Sequence, residues 1–143
     1  MRAVYVKALA CLSLLTLSVG AAAYAAPCTN ASLIGTYGFQ EEGQFPGGGF
    51  TQFRTVGVAT FNGHGNGSRT TTLWYSDFSV APGAVDPIAY TVNPDCTFTY
   101  TYLDNGETYS GVIVNGGQKL LWLETSGDPS RSGQAERIHS SNQ

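Results

Sequence analysis

Apolar and polar side chains alternate along most of the chain beyond residue 33, with the period of a β-strand rather than of a helix. In the segment 96–103, Phe98, Tyr100 and Tyr102 fall on one face, and the threonines between them fall on the other. Residues that favour tight turns separate such segments, and the Asp-Asn-Gly sequence at 104–106 is the strongest hairpin signal. The pattern predicts eight strands, at 34–41, 53–61, 68–75, 88–92, 96–103, 107–114, 119–125 and 133–138.

Short strands joined by short turns, without helices between them, favour an antiparallel meander. An open meander leaves two unpaired edges and an uncovered apolar face, so the sheet must close or fold over. We therefore predict an all-β fold, an eight-stranded antiparallel up-and-down barrel of the lipocalin/calycin-like kind; a two-layer β-sandwich is the alternative. Pro82 and Pro87 are expected to break regular pairing within 76–87, and 43–49 is expected to form a flexible loop.

The N-terminus has a different pattern. Two basic residues, Arg2 and Lys7, precede a short apolar segment, and small residues at 23 and 25 complete the order of a secretory signal. The apolar segment is shorter than the roughly 20 residues that span a bilayer. We predict a cleaved signal peptide at 1–25, a single barrel domain at 26–138 and a disordered tail at 139–143, in a secreted or periplasmic protein with no membrane attachment after cleavage.

Charge and cysteine content narrow the choice of partners. Loss of Arg2 and Lys7 takes the formal net charge from −3 to −5, which gives no electrostatic case for nucleic acid. The exported part keeps Cys28 and Cys96, which allow one disulfide in an oxidising compartment; two unpaired thiols are the alternative. Neither the cysteines nor the two histidines show ligand spacing, so we predict no metal site and no cofactor.

Two family resemblances follow from short motifs. Gly35-Thr36-Tyr37 on the first strand and Arg137 on the last resemble the lipocalin and calycin superfamily of eight-stranded barrels. In that superfamily a Gly-x-Trp on the first strand packs beneath an arginine and closes the floor of the barrel. The resemblance implies that Gly35, Tyr37 and Arg137 close this barrel, with Tyr37 standing where the family has Trp.

A longer resemblance covers most of the predicted domain. The segments 35–39, 61–65, 90–97 and 132–137, together with Cys28, are similar to a group of small secreted bacterial proteins of unassigned function. This resemblance implies bacterial export and a bridge between Cys28 and Cys96. It carries no activity.

Few residues suggest catalysis. His64 lies between two glycines in a predicted hairpin tip, where a solvated turn residue is expected. Glu41 and Glu42 are adjacent on a strand and therefore point to opposite faces; a solvated pair is expected, and one inward glutamate at the barrel mouth is the alternative. Asn93, Asp95 and similar residues match no calcium loop and are expected to form turns. No catalytic residue is predicted, and an enzyme is the less favoured class.

The aromatic residues on strands offer the best functional hypothesis. If they line a cavity, they bind a small apolar or aromatic ligand; if they fill the interior, they are only a core. The predicted ligand-binding residues are Tyr90, Phe98, Tyr100, Tyr102 and Trp122. The alternatives are a barrel enzyme of isomerase or cyclase type, which an inward carboxylate or histidine would favour, and an interaction or structural module, which a filled barrel would favour. The sequence does not determine the oligomeric state.

Overall fold

The computed structural model describes residues 26–45, 51–75, 80–81, 83, 85–126 and 131–139. The predicted signal peptide and the residues after His139 lie outside this part of the chain. The strands are β1 (Gly35–Phe45), β2 (Thr51–Phe61), β3 (Asn66–Tyr75), β4 (Val80–Ala81), β5 (Val85–Val92), β6 (Thr97–Tyr102), β7 (Thr108–Val114), β8 (Lys119–Glu124) and β9 (Ser132–His139). Short 3-10 turns occupy Asn30–Leu33 and Asn115–Gly117. No helix among the described residues has the length and apolar character needed to cross a membrane.

The sheet closes on itself. Strand β2 pairs with both β1 and β3, and the remaining pairs run in the order β1-β9-β8-β7-β6-β5-β3, all antiparallel. Eight strands thus form a closed up-and-down barrel, which confirms the predicted fold and excludes the sandwich. Strand β4 pairs only with Leu73 and Trp74 at the end of β3, outside the closed ring.

Several strand boundaries differ from the prediction. Strand β1 continues to Phe45, so residues 43–45 belong to a strand and not to the expected loop, while residues 46–50 lie outside the described part of the chain, as does Pro82. Strand β5 begins at Val85 and includes Pro87, which was expected to interrupt pairing. Pro87 opposes Ser68, and its carbonyl accepts a hydrogen bond from the amide of Leu103 at 3.0 Å. The two-residue strand β4 is too short to leave an alternating pattern in the sequence.

Large rings fold over glycines on the neighbouring strand. At each such glycine, a Cβ atom would lie within 2.8 Å of the facing ring. Glycine therefore provides the space that each ring occupies inside the curved wall. The pairs are Phe39 over Gly57, Phe98 over Gly111 and Trp122 over Gly133.

One end of the barrel is closed by the segment that precedes β1. Cys28 and Cys96 form the predicted disulfide, with their Cα atoms 5.0 Å apart. Asn30 accepts a hydrogen bond from the amide of Val92 through its side chain at 2.8 Å. Leu33, from the same segment, is fully buried. The opposite end, formed by the end of β1, the start of β2 and the 104–107 turn, is the mouth of the barrel.

Candidate functional site

The five aromatic residues predicted to bind a ligand all lie on inward faces. Their exposed fractions run from 1% for Phe98 to 7% for Tyr102. The alternation on β6 therefore predicted the inward side correctly. On β8, where the sequence left the side open, Leu120 and Trp122 point inward, while Leu121 and Leu123 are exposed.

These rings fill the interior of the barrel. Tyr100 stacks on Tyr109 with ring centres 4.6 Å apart, and it meets Trp122 edge-on at 6.3 Å. The free space among Phe39, Phe98, Trp122 and their neighbours is about 10 Å³, room for about one water molecule at most. The ligand-binding role of the five aromatics stays a prediction, and of the five only Tyr102 borders a larger space.

That larger space is a cavity of about 230 Å³ at the mouth. This is somewhat smaller than the roughly 300–1,000 Å³ of drug-sized ligand pockets, so it suits a small ligand. Its walls are mainly polar and charged. The lining residues are Glu41, Phe53, Thr55, Arg69, Thr71, Leu73, Asp86, Tyr102, Asp104, Asn105, Glu107 and Arg131.

An ion pair between Arg69 and Glu41 forms the floor of the mouth cavity. Arg69 Nη2 lies 3.3 Å from Glu41 Oε2, and the two side chains are only 3% and 5% exposed. Arg69 Nη1 donates to the Tyr100 hydroxyl at 2.9 Å, and Trp122 Nε1 donates to the same Glu41 oxygen at 2.9 Å. Glu41 is buried and points inward, so the expectation of a solvated pair is wrong for Glu41, whereas Glu42 is exposed.

Aromatic faces help to hold the buried cation. The Arg69 guanidinium carbon lies 4.0 Å from the centre of the Phe39 ring and 5.2 Å from that of Tyr102, within the range of cation–π attraction. Burial acts to lower the pKa of Arg69, but nearby Tyr100 and Glu41 outweigh it and raise that pKa above its usual value. Arg69 therefore stays charged.

Arg131 organises a second cluster on the wall of the cavity. Its Nη1 and Nη2 donate to the two carboxylate oxygens of Glu107 at 2.7 and 3.0 Å, and its Nε lies 3.2 Å from Glu124 Oε2. Nη1 also donates to the Tyr109 hydroxyl at 3.0 Å. Burial raises the pKa of the Glu124 carboxyl, although Arg131 acts in the opposite direction. Through this bidentate pairing, the guanidinium group of Arg131 donates its hydrogen bonds to acceptors of the protein itself.

Some polar groups at the mouth have hydrogen-bonding capacity left over. Thr55 is 3% exposed, and its Oγ1 is buried without a hydrogen-bond partner among the described residues. It lies on the inward face of β2 together with Phe53. Both hydrogen bonds to Glu41 from described residues end on Oε2, so Oε1 is still an acceptor. Buried polar atoms are normally paired, so these atoms mark the place where a ligand would find partners.

Asp86 and Asp104 add negative charge at the rim. Neither forms a salt bridge with any residue in the described part of the chain. Burial raises the pKa of the Asp86 carboxyl, and repulsion from Asp104 raises it further. The cavity thus contains more carboxylates than cations. The described residues nevertheless include no group of three or more His, Cys, Asp or Glu placed to hold a metal ion.

The motif residues Gly35, Tyr37 and Arg137 lie at the closed end, away from the mouth. Arg137 Nη2 donates to the Tyr37 hydroxyl at 2.6 Å and to the Ser32 carbonyl at 3.2 Å, and its guanidinium carbon lies 5.1 Å from the centre of the Tyr37 ring. The Tyr37 hydroxyl in turn donates to the Gly117 carbonyl at 2.8 Å. These contacts join both 3-10 turns to the barrel wall.

The other sequence candidates occupy turns. His64 is exposed in the β2–β3 connection, and its amide donates to Asn62 Oδ1 at 2.8 Å. Asp95 Oδ1 accepts hydrogen bonds from the amide and hydroxyl of Thr97, as an Asx turn does. Trp74, on the outward face of β3, is 38% exposed.

Sequence reasoning missed Arg69 and Arg131. Arg69 shares its inward face with Thr71 and Leu73, so neither face of β3 is uniformly apolar and the arginine carries no distinguishing signal. Arg131 precedes the strand β9 and follows a segment outside the described residues. Only Glu41 could have been recognised from the sequence, because it lies on the same face of β1 as Tyr37 and Phe39, and that face points inward.

A larger concavity of about 600 Å³ lies against the barrel wall near β1, β2, β8 and β9. Gln40, Glu42, Arg54, Val56 and Leu121, which are all exposed on the outer face, form much of its lining. Exposed side chains of this kind are hydrated and need no occupant. Glu41 and Thr55 border this concavity as well, but Arg69 and Arg131 line the mouth cavity and not the outer concavity, so the mouth cavity is the stronger candidate site.

Comparisons with known proteins add little to this geometry. No family model matches the chain, and no curated protein matches it. Among solved structures it is similar to a de novo designed fluorescence-activating β-barrel, with 15% sequence identity, a TM-score of 0.44, and coverage of 73% of this chain and 92% of the design. A similarity of this size carries no argument about function. The relationship to other proteins that can be stated is the closed eight-stranded barrel itself, with no lipocalin or calycin family shown.

Proposed function

We propose that this protein binds a small molecule in the mouth cavity of its barrel. The observation that carries the proposal is Thr55, which lines a cavity of about 230 Å³ and whose buried hydroxyl has no partner among the described residues. An unpaired buried polar group costs about 1–3 kcal/mol, and a ligand that bonds to it recovers this free energy. The buried ion pair of Arg69 and Glu41 beside it supports a rigid, preorganised site.

The predicted aromatic residues take different parts in this site. Tyr102 borders the cavity together with Phe53, and these two rings contact the apolar or aromatic part of the ligand. Tyr100 and Trp122 lie beneath and hold Arg69 and Glu41 through hydrogen bonds. Phe98 packs behind Tyr100, while the hydroxyl of Tyr90 bonds to the Asn30 carbonyl at the closed end.

A titration with small aromatic probes tests the proposal. Benzyl alcohol, benzylamine and benzoate have similar size and differ in charge, and amide chemical shifts of the isotopically labelled protein report where each one binds. We expect at least one probe to shift the amides of residues at the mouth, including Thr55 and Tyr102. If no probe shifts these amides at millimolar concentration, the proposal is wrong, and the interaction or structural module becomes the leading interpretation.

A matched pair of variants distinguishes the cavity from the outer wall. Thr71 is buried and lines the cavity, whereas Thr72 is exposed on the opposite face of β3. Thr71→Phe would fill the mouth and should weaken probe binding about tenfold or more, since a ring excludes the ligand. Thr72→Phe should leave the affinity unchanged. Equal affinities for the two variants would place the bound probe elsewhere.

A barrel enzyme of isomerase or cyclase type is the second candidate, because Glu41 is an inward carboxylate at the cavity. General acid–base catalysis needs a carboxyl group within hydrogen-bond reach of the substrate. Once a ligand is identified, mass spectrometry and chromatography of the incubated ligand distinguish the classes. A rearranged product that disappears in Glu41→Gln would establish the enzyme, and an unchanged ligand would support the binding protein.

Export belongs to the same proposal. Residues 1–25 direct secretion and are cleaved before Ala26, and the disulfide between Cys28 and Cys96 is the structural feature that agrees with an oxidising compartment. The mass of the exported protein tests this directly. A chain that retains residues 1–25 after export would refute the cleavage site.

A further inference from the structure

We propose that the ligand of the mouth cavity is a small organic cation, a protonated amine carried on an apolar or aromatic body. This inference rests on the small-molecule binding proposed above and adds the chemical class of the ligand. The cavity is lined by four carboxylates and two guanidinium groups. The carboxylates are those of Glu41, Asp86, Asp104 and Glu107.

Both guanidinium groups are already engaged by protein acceptors. Arg131 bonds to both oxygens of Glu107 and reaches Glu124 as well. Arg69 donates one terminal nitrogen to the Tyr100 hydroxyl and the other to Glu41. An anionic ligand would therefore have to displace internal ion pairs, and it would meet the excess carboxylates.

The charge left without a partner is negative. Asp86 and Asp104 both line the cavity and form no ion pair with any described residue. Burial and repulsion from Asp104 raise the pKa of the Asp86 carboxyl, and the attraction of Arg69 opposes them. A cation between the two carboxylates would relieve their repulsion, and because Asp104 is exposed this effect should weaken as salt is added.

The remaining groups suit an ammonium ion and an attached ring. An ammonium group has three donors and no acceptor. Glu41 and Thr55 both line this cavity, and Glu41 Oε1 and Thr55 Oγ1 are acceptors without a partner among the described residues. The rings of Phe53 and Tyr102 also line the cavity and provide apolar contact for the body of the ligand, while the guanidinium groups of Arg131 and Arg69 already lie over these rings.

A metal ion does not satisfy the same observations. The described residues contain no group of three or more metal-ligating side chains in suitable positions. A metal ion also gains nothing from two aromatic rings in the wall. An amine with a ring uses the carboxylates, the hydroxyl and the rings together.

Three probes of similar size and different charge test the inference: benzylamine, benzyl alcohol and benzoate. Dissociation constants are measured by titration of the labelled protein near neutral pH and low salt. We expect benzylamine to bind about tenfold more tightly than benzyl alcohol, which corresponds to about 1.4 kcal/mol, and benzoate to bind most weakly. Raising the salt concentration should narrow the difference between benzylamine and benzyl alcohol.

Two variants identify the charge responsible. Asp104→Asn should weaken benzylamine binding about two- to fivefold and change benzyl alcohol binding less, because only the cation senses the lost carboxylate. Glu136→Gln removes the same charge from an exposed position on the outer wall and should change neither affinity. This control separates a local effect from one of net charge.

The outcomes distinguish this inference from the proposed function. If benzyl alcohol or benzoate binds at the mouth as tightly as benzylamine, the mouth is a binding site but the ligand class is wrong. Equal weakening of all three probes in Asp104→Asn would also overturn the cationic ligand, because it would indicate a structural role for Asp104. If no probe binds at the mouth, both proposals fail.

Discussion

Arg69 and Glu41 form a buried ion pair at 3.3 Å, and this pair separates the aromatic interior of the barrel from the cavity at its mouth. Below it, rings leave space for about one water molecule. Above it, the cavity measures about 230 Å³. The pair therefore covers the packed aromatic core on one side and forms the floor of the candidate site on the other.

Removal of one member of this pair should destabilise the protein more than removal of both. In Arg69→Met, Glu41 is left buried without its cation, which typically costs about 3–5 kcal/mol. The double variant Arg69→Met with Glu41→Leu replaces the pair by apolar side chains and should recover much of this loss. Urea denaturation of Arg69→Met, Glu41→Leu and the double variant measures the coupling free energy between the two side chains. Additive effects would show that the two side chains do not stabilise one another.

The contact of Trp122 with Gly133 should make this glycine irreplaceable. A Cβ atom at 133 would lie 2.4 Å from the indole ring, so Gly133→Ala should lower the free energy of unfolding by about 1–3 kcal/mol. Gly38→Ala is the matched control, because the Cβ there meets only Ile138 Cγ2 at 3.3 Å. Thermal unfolding of both variants checks this expectation, because Gly133→Ala should have the lower melting temperature. Equal melting temperatures would contradict the steric argument.

Arg137 should hold the closed end together. Its guanidinium group bonds to the Tyr37 hydroxyl and to the carbonyls of Ser32 and Gly117, so Arg137→Ala should cost about 3 kcal/mol and speed hydrogen exchange around the 3-10 turn Asn30–Leu33. Arg54→Ala removes an exposed arginine and should change neither quantity. Unchanged exchange in Arg137→Ala would mean that the turn is held by the disulfide and the Asn30 hydrogen bonds alone.

The buried tyrosines should make the protein sensitive to alkali. Burial raises the pKa values of the Tyr100, Tyr102 and Tyr109 hydroxyls above the usual value near 10. The unfolded chain therefore releases these protons at lower pH than the folded chain, and the contribution to stability, complete below pH 10, falls as the pH rises above it. The expected slope is about 1.4 kcal/mol per pH unit for each tyrosine.

Absorbance at the tyrosinate band, recorded with circular dichroism during an alkaline titration, checks this expectation. Ionisation of the buried tyrosines should coincide with loss of the β-sheet signal. If all tyrosines ionise near pH 10 while the sheet persists, the rings are not protected in the way that their burial indicates.

The sequence by itself determined most of the strands and the inward face of β6, but it did not assign the inward face of β8 or the short strand β4. Side chains on a strand alternate with a strict period of two, so the threonine and aromatic alternation on β6 could be assigned from local pattern alone. The strong turn sequence at 104–106 fixed the adjoining hairpin for the same local reason. The sequence favoured closure into a barrel, because a helix-free meander must close or fold over to cover its apolar face, and the structure excluded the sandwich. Two cysteines after the predicted signal left one possible bridge.

Only the tertiary structure decided whether the interior of the barrel was empty or filled, and which charged side chains came into contact. The free volume depends on how buried rings from six strands pack, as in the stacking of Tyr100 on Tyr109 and its contact with Trp122. No local pattern encodes the distances between these rings. Arg69 and Glu41 are separated by 28 residues and stand on β3 and β1, which both pair with β2. Their pairing, and the polar cavity above it, arise from the register of three strands in a closed sheet, a property of the whole barrel rather than of any segment.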